Sequence, residues 1–123
     1  MLIDASGNIK LADFGISHQL QCDGDRVHKV IGTAQYMPPE AYIKNRGYNR
    51  KFDMWSLGCC LYEMVVGVPP FGLAGGTGGG EGLREEVVSS EIRMKDYFSK
   101  DFKDLLYCLL ERCENTRLCI KQV

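Results

Sequence analysis

The sequence predicts a mainly α-helical fold with one small β-hairpin. Three patterns support this prediction: two short apolar stretches around a turn at the start, a long apolar segment at 51–66, and an apolar stripe with helical spacing at 100–112. With 123 residues, the chain has room for one small domain.

The chain begins with the predicted hairpin, because Leu2-Ile3 and Ile9-Lys10-Leu11 flank the turn-forming string Ser6-Gly7-Asn8. Residues 16–31 are polar and lack periodicity, so they predict a loop. A short helix is predicted at 37–44, where two adjacent prolines suit a first helical turn.

A long central helix is predicted from Lys51 to Val66. This segment is apolar on most faces, which indicates burial on most sides. Gly67 is the expected stop, and two prolines, Pro69 and Pro70, follow just beyond it.

The region at 72–82 holds seven of the fourteen glycines. A glycine-rich loop suggests phosphate binding, but this one contains no Gly-x-Gly-x-x-Gly register and no following Gly-Lys-Ser or Gly-Lys-Thr. It also comes after a helix instead of between a strand and a helix. We therefore predict a flexible insert.

Further helices are predicted in the C-terminal part. Leu83 to Met94 is weakly helical, whereas Ser99 is a suitable N-cap for a firmer helix from Lys100 to Arg112. Five apolar side chains of that helix share one face: Phe102, Leu105, Leu106, Leu109 and Leu110. Residues 117–123 predict the start of another helix.

Composition and charge argue against several classes of function. The net charge of −1 disfavours nucleic acid or an anionic membrane as the main partner. No apolar run approaches the ~20 residues of a transmembrane helix, and no secretory signal opens the chain. The six cysteines form no Cys-x-x-Cys pair. We expect reduced thiols packed as small hydrophobic side chains, no zinc site, and a cytoplasmic or nuclear location.

A series of short motifs runs through the chain in a fixed order. It comprises Asp-Phe-Gly at 13–15, Gly-Thr at 32–33, Tyr-Met-Pro-Pro-Glu at 36–40, Asp-Met-Trp-Ser-Leu-Gly at 53–58, Pro-Pro-Phe at 69–71 and finally Arg117. In this order and at these spacings, the chain resembles the C-terminal lobe of a eukaryotic protein kinase, strongly over residues 1–71 and moderately over 99–118. The Gly-Thr string favours the Ser/Thr type.

The resemblance divides the chain into named parts. They are a hairpin and Asp-Phe-Gly loop (1–15), an activation and substrate-binding segment (16–40), a central buried helix (51–66), the glycine-rich insert (72–82) and C-terminal helices (99–118). Within the superfamily, the strings Tyr-Met-Pro-Pro-Glu and Leu-Gly-Cys-Cys-Leu-Tyr-Glu-Met resemble NIMA-related or mitotic-checkpoint kinases.

The resemblance implies which residues bind cofactor and substrate. Cofactor-binding residues are Asp13, Phe14 and Gly15, with Asp13 as ligand of the Mg²⁺ that bridges the ATP phosphates in the intact enzyme. Substrate-binding residues are Thr33, Tyr36, Met37 and Pro38, which contact a protein substrate. Without the downstream motifs, Asp13 would be interpreted as a turn-capping aspartate.

Four further residues are expected to be structural. The family pattern pairs Glu40 and Arg117 as a buried ion pair, although 77 residues separate them. Asp53 accepts hydrogen bonds from the catalytic loop in the family, and Trp55 is expected in the core. An Asp-Pro is usual where Cys113-Glu114 stands, so a looser corner is expected there.

The same resemblance identifies what residues 1–123 lack. They contain no glycine-rich phosphate loop, no ATP-binding strand lysine and no His-Arg-Asp catalytic loop. The string Met1-Leu2-Ile3-Asp4 matches the strand that follows that loop, so the catalytic aspartate is expected before Met1. We therefore expect this chain alone to be inactive and to bind neither ATP nor Mg²⁺.

The activation segment also departs from the family. No Ser, Thr or Tyr lies between His18 and Ile31, and Lys29 occupies the usual phosphoacceptor position. Another means of ordering this loop is needed, and Asp23 and Asp25 are the candidates.

Two hypotheses for function remain open. The first is a piece of a Ser/Thr protein kinase, arising from a truncated gene model, a transcript or an internal start. The second is a non-catalytic binding or regulatory module, with a partner protein covering the exposed central helix. A stably folded monomer, or a partner on that helix, would favour the second.

Overall fold

The computed structural model describes residues 1–22, 24–72 and 79–122. It is mostly helical with one two-stranded antiparallel sheet, which confirms the predicted class at that level. The elements are β1 (Leu2–Ile3), β2 (Ile9–Lys10), α1 (Lys51–Val66), α2 (Gly79–Ser89) and α3 (Lys100–Leu109), with 3₁₀ turns at Ala34–Tyr36, Pro39–Tyr42 and Ile120–Gln122. Over these residues, none of the helices has the length and apolar character needed to cross a bilayer.

The hairpin forms as its sequence predicts, with Ile3 opposite Ile9. The Asp4 carboxylate stabilises the turn, because its Oδ1 accepts hydrogen bonds from the Ser6 amide at 3.0 Å and the Asn8 amide at 2.8 Å. Such an Asx-type turn lets the side chain replace a backbone acceptor. Both faces of the hairpin are exposed to solvent.

Helix α1 begins and ends at the predicted residues. Gly67 terminates it in the left-handed conformation (φ +86°) and donates its amide to the Glu63 carbonyl at 2.7 Å. The expected burial on most sides is confirmed in the middle of the helix and is wrong for its last turn. There Met64 and Val65 are exposed, because no described element packs over them.

The core lies where α1 packs against α3 and the segments beside it. Gly58 permits a close approach, since a Cβ at this position would lie 2.8 Å from Leu110 Cδ2. The core residues are Trp55, Cys59, Tyr62, Phe71, Val87, Phe98, Leu106 and Leu110. This core supports the segment before α1, on which the candidate site depends.

Helix α3 has the predicted cap and ends earlier than predicted. The Ser99 hydroxyl accepts a hydrogen bond from the Phe102 amide at 3.2 Å, as expected of an N-cap. The helix ends at Leu109 instead of Arg112, because the chain turns away and the Arg112 side chain donates to the Val87 and Ser90 carbonyls.

Helix α2 corrects the prediction of a flexible insert at 72–82. The helix starts at Gly79, so residues 79–82 are helical, while 73–78 lie outside the described residues. The weakly helical segment predicted from Leu83 to Met94 ends at Ser89. Burial of Val87 in the core outweighs the low helix propensity of glycine, and the Glu86 carboxylate fixes the preceding segment by accepting the Gly72 amide at 2.7 Å.

Two other predicted helices are shorter than expected. The one at 37–44 is a single 3₁₀ turn, Pro39–Tyr42, because Asn45 and Gly47 adopt positive φ (+63° and +67°) and redirect the chain. Residues 120–122 of the predicted helix at 117–123 form a 3₁₀ turn, and Val123 lies outside the described residues.

The cysteines are free thiols, and their environments differ from the expected uniform burial. Cys59 is buried in the core, where loss of solvation raises the pKa of its thiol. The expectation of packed thiols is wrong for Cys22, Cys108 and Cys113, which are exposed because they lie on loops or on the outer face of α3.

Candidate functional site

The Asp-Phe-Gly tripeptide forms an exposed turn after the hairpin. Asp13 adopts φ +69°, a conformation that aspartate tolerates better than most residues. The Ser17 amide and hydroxyl both donate to the Phe14 carbonyl, at 3.0 and 2.8 Å, and close the turn. In the described part of the chain, no hydrogen-bond donor or cation reaches the Asp13 carboxylate, which is left open to solvent.

This turn can supply one carboxylate ligand to a magnesium ion. Magnesium is commonly held by one or two carboxylates together with substrate phosphates and water, and Asp13 can supply one such carboxylate. The residues with described positions contain no cluster of three His, Cys, Asp or Glu side chains. A cavity of about 210 Å³ lies elsewhere, lined by residues between 28 and 48.

The predicted substrate segment is partly exposed and partly anchored. Thr33 is exposed just before the 3₁₀ turn, while Met37 and Pro38 are buried. Tyr36 donates its hydroxyl to Glu63 Oε2 of α1 at 2.6 Å, and Ser56 donates to the Tyr36 carbonyl at 2.9 Å. The hydrogen bond to Glu63, followed by desolvation, raises the pKa of Tyr36 to about 12.

Glu40 and Arg117 form a bidentate ion pair at the end of this segment. Arg117 Nη1 lies 2.6 Å from Glu40 Oε1, and Nη2 lies 2.8 Å from Oε2. Both residues are fully buried, at 2% and 1% exposure. Arg117 also donates to the carbonyls of Glu111 and Lys51, at 2.7 and 3.1 Å, so its guanidinium is saturated with acceptors.

Trp55 lies against this ion pair. Its ring is stacked on Phe71, with centroids 5.6 Å apart, and the Arg117 guanidinium carbon lies 5.1 Å from the Trp55 ring centroid. The indole nitrogen is buried and has no hydrogen-bond partner among the residues that the structure describes. The structure therefore places Trp55, Glu40 and Arg117 in one cluster.

Asp53 lies apart from that cluster, in the first turn of α1. The residue as a whole is exposed, but partial desolvation of its carboxyl group raises the pKa of that group. Over residues 1–22, 24–72 and 79–122, no donor reaches its side chain. Its predicted hydrogen bonds to a catalytic loop therefore stay a prediction.

A second ion-pair cluster, missed by the sequence analysis, lies beside the activation segment. Arg26 Nη2 lies 2.7 Å from Glu114 Oε2, Arg46 Nη2 lies 3.5 Å from the same oxygen, and Glu114 is 1% exposed. The expectation of a loosened corner at 113–114 is therefore wrong. The only signal in the sequence was that Glu114 stands where the resemblance expects a different residue, and no spacing rule links it to Arg26.

Comparison with known proteins identifies the family. The whole chain, residues 1–123, matches the family described as "Protein kinase domain". It is 35% identical over 123 residues to "Serine/threonine-protein kinase PLK4" of Drosophila persimilis, and 33% identical over 123 residues to the protein of that name from Xenopus laevis. It is 31% identical over 118 residues to "Serine/threonine-protein kinase AtPK2/AtPK19" of Arabidopsis thaliana.

These alignments include 100%, 100% and 96% of this chain, and 15%, 12% and 24% of the three relatives. The chain therefore belongs to the eukaryotic Ser/Thr protein kinase superfamily, and it spans less than a quarter of the length of each of these relatives. Membership implies ATP and Mg²⁺ as cofactors, and proteins as substrates, of an intact enzyme. The predicted likeness to NIMA-related or mitotic-checkpoint kinases stays a prediction.

Proposed function

We propose that this chain is the part of a Ser/Thr protein kinase C-terminal lobe that carries the magnesium loop and the substrate segment. In the intact enzyme, Asp13 is a ligand of the Mg²⁺ that neutralises the ATP phosphates, with Phe14 and Gly15 shaping the turn. Residues 33–38 receive the protein substrate beside its accepting serine or threonine. The single observation that carries this proposal is the bidentate, buried pairing of Glu40 with Arg117 across 77 residues.

The ion pair of Glu40 with Arg117 supports a substrate platform because it fixes the C-terminal end of residues 33–40, whereas Thr33 at the other end is exposed to solvent. Thr33 and the backbone on either side of it are exposed, while Met37, Pro38 and Glu40 are buried under them. Tyr36 is held to α1 through Glu63 and Ser56. A segment that is rigid on its inner side presents its outer side in one geometry, which positioning of a substrate requires.

Residues 1–123 are not expected to catalyse the reaction by themselves. The complete reaction moves the γ-phosphoryl group of ATP to a serine or threonine hydroxyl, whose proton goes to a base. The sequence of this chain contains no His-Arg-Asp string to supply that base. Positioning contributes about 7–11 kcal/mol to barrier lowering in well-oriented reactions, and Asp13 alone supplies little of it.

A chimera tests the proposal. Residues 1–123 are joined behind the corresponding upstream part of the kinase domain of the Drosophila persimilis relative, and ³²P transfer from ATP to a protein substrate is measured. We expect phosphoserine or phosphothreonine, loss of transfer on Asp13→Asn, and no change on the matched control Asp96→Asn, whose side chain is exposed. The proposed role of this chain would be refuted by a chimera that unfolds cooperatively yet transfers no phosphate. It would also be refuted by a chimera whose activity is unchanged by Asp13→Asn. Transfer above background by residues 1–123 alone would refute its inactivity.

A second candidate is the non-catalytic binding or regulatory module. It is favoured by apolar side chains that stay exposed: Ile3 is 76%, Leu11 72% and Met64 64% exposed, the last of these on the central helix. This module would bind a partner protein over α1 and would not need the missing catalytic residues. A chain that sediments as a stable monomer and loses partner binding on Met64→Lys, with an inactive chimera, would favour it.

The proposed cytoplasmic or nuclear location is tested by imaging a fluorescent fusion.

A further inference from the structure

The strip of chain at 26–29, within the proposed activation segment, is fastened to the loop before α1. Val27 and Tyr48 exchange two backbone hydrogen bonds, at 2.9 and 3.0 Å. The Tyr48 hydroxyl donates to the Lys29 carbonyl at 2.8 Å, and Arg26 Nη1 donates to the Gly47 carbonyl at 3.0 Å. His28 lies so close to Gly47 that a Cβ there would come within 2.9 Å of its ring.

A buried carboxylate lies at the end of this strip. Glu114 is 1% exposed, and its oxygens are paired with Arg26, at 2.7 and 3.4 Å, and with Arg46, at 3.5 Å. Arg26 itself is half-buried and Arg46 is exposed. A carboxylate held away from water requires a cation, so the position of Arg26 is strongly determined by Glu114.

We propose that Arg26 is a positioning residue: through its ion pair with Glu114, it holds residues 26–29 in place without a phosphate. The inference rests on the proposed function, which makes this strip part of the activation segment. In kinases whose loop is ordered by phosphorylation, a loop phosphate pairs with basic residues elsewhere. Here the charges are reversed, because the loop supplies the guanidinium and the rest of the domain supplies the anion.

The chemistry of the strip supports this reversal. No Ser, Thr or Tyr lies between His18 and Ile31, so the strip has no hydroxyl to phosphorylate. Asp25, one of the two expected candidates for ordering the loop, turns back on its own segment and accepts the Gln21 and Cys22 amides at 2.6 and 3.2 Å. The other candidate, Asp23, lies outside the described residues. Among the described residues, the hydrogen bonds and ion pairs from this strip to the C-terminal part of the chain are made by Arg26.

Amide hydrogen exchange of unphosphorylated chain, produced in bacteria and measured by NMR, tests the proposal. The readouts are the amides of Val27 and Tyr48, with Cys59 in α1 as the internal reference. We expect both strip amides to be protected, and Arg26→Ala and Glu114→Gln to lower their protection at least about tenfold, the size of a charge-assisted hydrogen bond. Arg26→Lys keeps the charge and should restore part of the protection, whereas Arg84→Ala on the exposed face of α2 should change nothing.

Each other outcome overturns the inference. Val27 and Tyr48 amides that exchange at unstructured-peptide rates in the unmodified chain would show that the strip is not ordered without phosphate. Unchanged protection in Arg26→Ala would show that the pair does not position the strip. An equal loss of protection at the Cys59 amide would show that the ion pair stabilises the whole domain and does not position this strip in particular. Hydrogen exchange requires no ATP, so an inactive chimera would refute the proposed function and leave the exchange result valid. An active chimera whose Val27 and Tyr48 amides are unprotected would refute the role of Arg26 and leave the proposed function valid.

Discussion

Replacement of Arg117 with methionine tests whether the buried ion pair holds the substrate segment to the helical core. Methionine keeps the aliphatic volume and removes the charge. Glu40, at 2% exposure, would then be left without the two hydrogen bonds at 2.6 and 2.8 Å. The carbonyls of Glu111 and Lys51 would also lose their donors.

The expected loss of stability is large. Removal of one partner of a buried ion pair typically costs ~3–5 kcal/mol, because the remaining charge stays buried and uncompensated. A domain of this size has a free energy of unfolding of ~5–15 kcal/mol, so Arg117→Met should remove roughly a fifth of it or more. With a urea m-value of ~2 kcal/mol per molar, the midpoint should fall by about 2 M.

Urea unfolding followed by the fluorescence of the single tryptophan, Trp55, and by circular dichroism measures this loss. The double variant Glu40→Met/Arg117→Met removes both charges and should recover at least ~2 kcal/mol relative to Arg117→Met. Arg84→Met is the matched control, since Arg84 is exposed on α2. A drop below ~1 kcal/mol for Arg117→Met, or no recovery in the double variant, would refute the reasoning.

Three further predictions concern single contacts. Gly58→Ala should lower the unfolding free energy by ~1–2 kcal/mol in urea titrations, because its Cβ would meet Leu110 Cδ2 at 2.8 Å. The control Gly82→Ala, whose Cβ would have nothing within 4 Å, should raise the unfolding free energy by up to ~1 kcal/mol. A Gly58→Ala variant more stable than wild type would contradict the packing. Ser99→Ala should cost ~1 kcal/mol through loss of the N-cap of α3, with Ser99→Thr much closer to wild type in the same assay. The pKa of Tyr36 is raised to about 12 from 10.0, so its contribution to stability is complete below pH 10 and is lost as the pH rises through 12. The chain has six tyrosines, so the absorbance titration of Tyr36→Phe is subtracted from that of wild type at the phenolate band. The difference should show a step near 12, and a difference step near 10 would contradict the raised pKa of Tyr36.

The sequence predicted those elements that depend on local signals, such as an apolar run, a glycine stop or an N-cap. The long apolar run that stops at Gly67 defined α1 from Lys51 to Val66, and Ser99 defined the start of α3. Glycine content misled the prediction at 79–82, because each glycine lowers helix propensity by about 1 kcal/mol and the compensating burial of Val87 depends on tertiary contacts. Propensity alone contains no information about those contacts.

Only part of the candidate site could be predicted from the sequence. The expectation that Glu40 meets Arg117 came from the resemblance to a family and not from any periodicity in this chain. The contact of Arg26 with Glu114 joins residues 88 apart, and neither residue type nor spacing distinguishes this pair from other arginines and glutamates. Long-range ion pairs are a consequence of the fold and become visible only once the backbone has brought the two segments together.

Both long-range ion pairs end in the same short corner, because Glu114 and Arg117 are three residues apart. One binds Arg26 and the other binds Glu40, so the corner anchors the two ends of the segment at 26–40. Closing loops of 88 and 77 residues costs conformational entropy, which these ion pairs, the hydrogen bonds of the segment with residues 47–63 and the core offset. The segment that we propose as the substrate platform is therefore held at both ends by this corner, in addition to its hydrogen bonds with residues 47–63, so a change that loosens the corner weakens both ends at once.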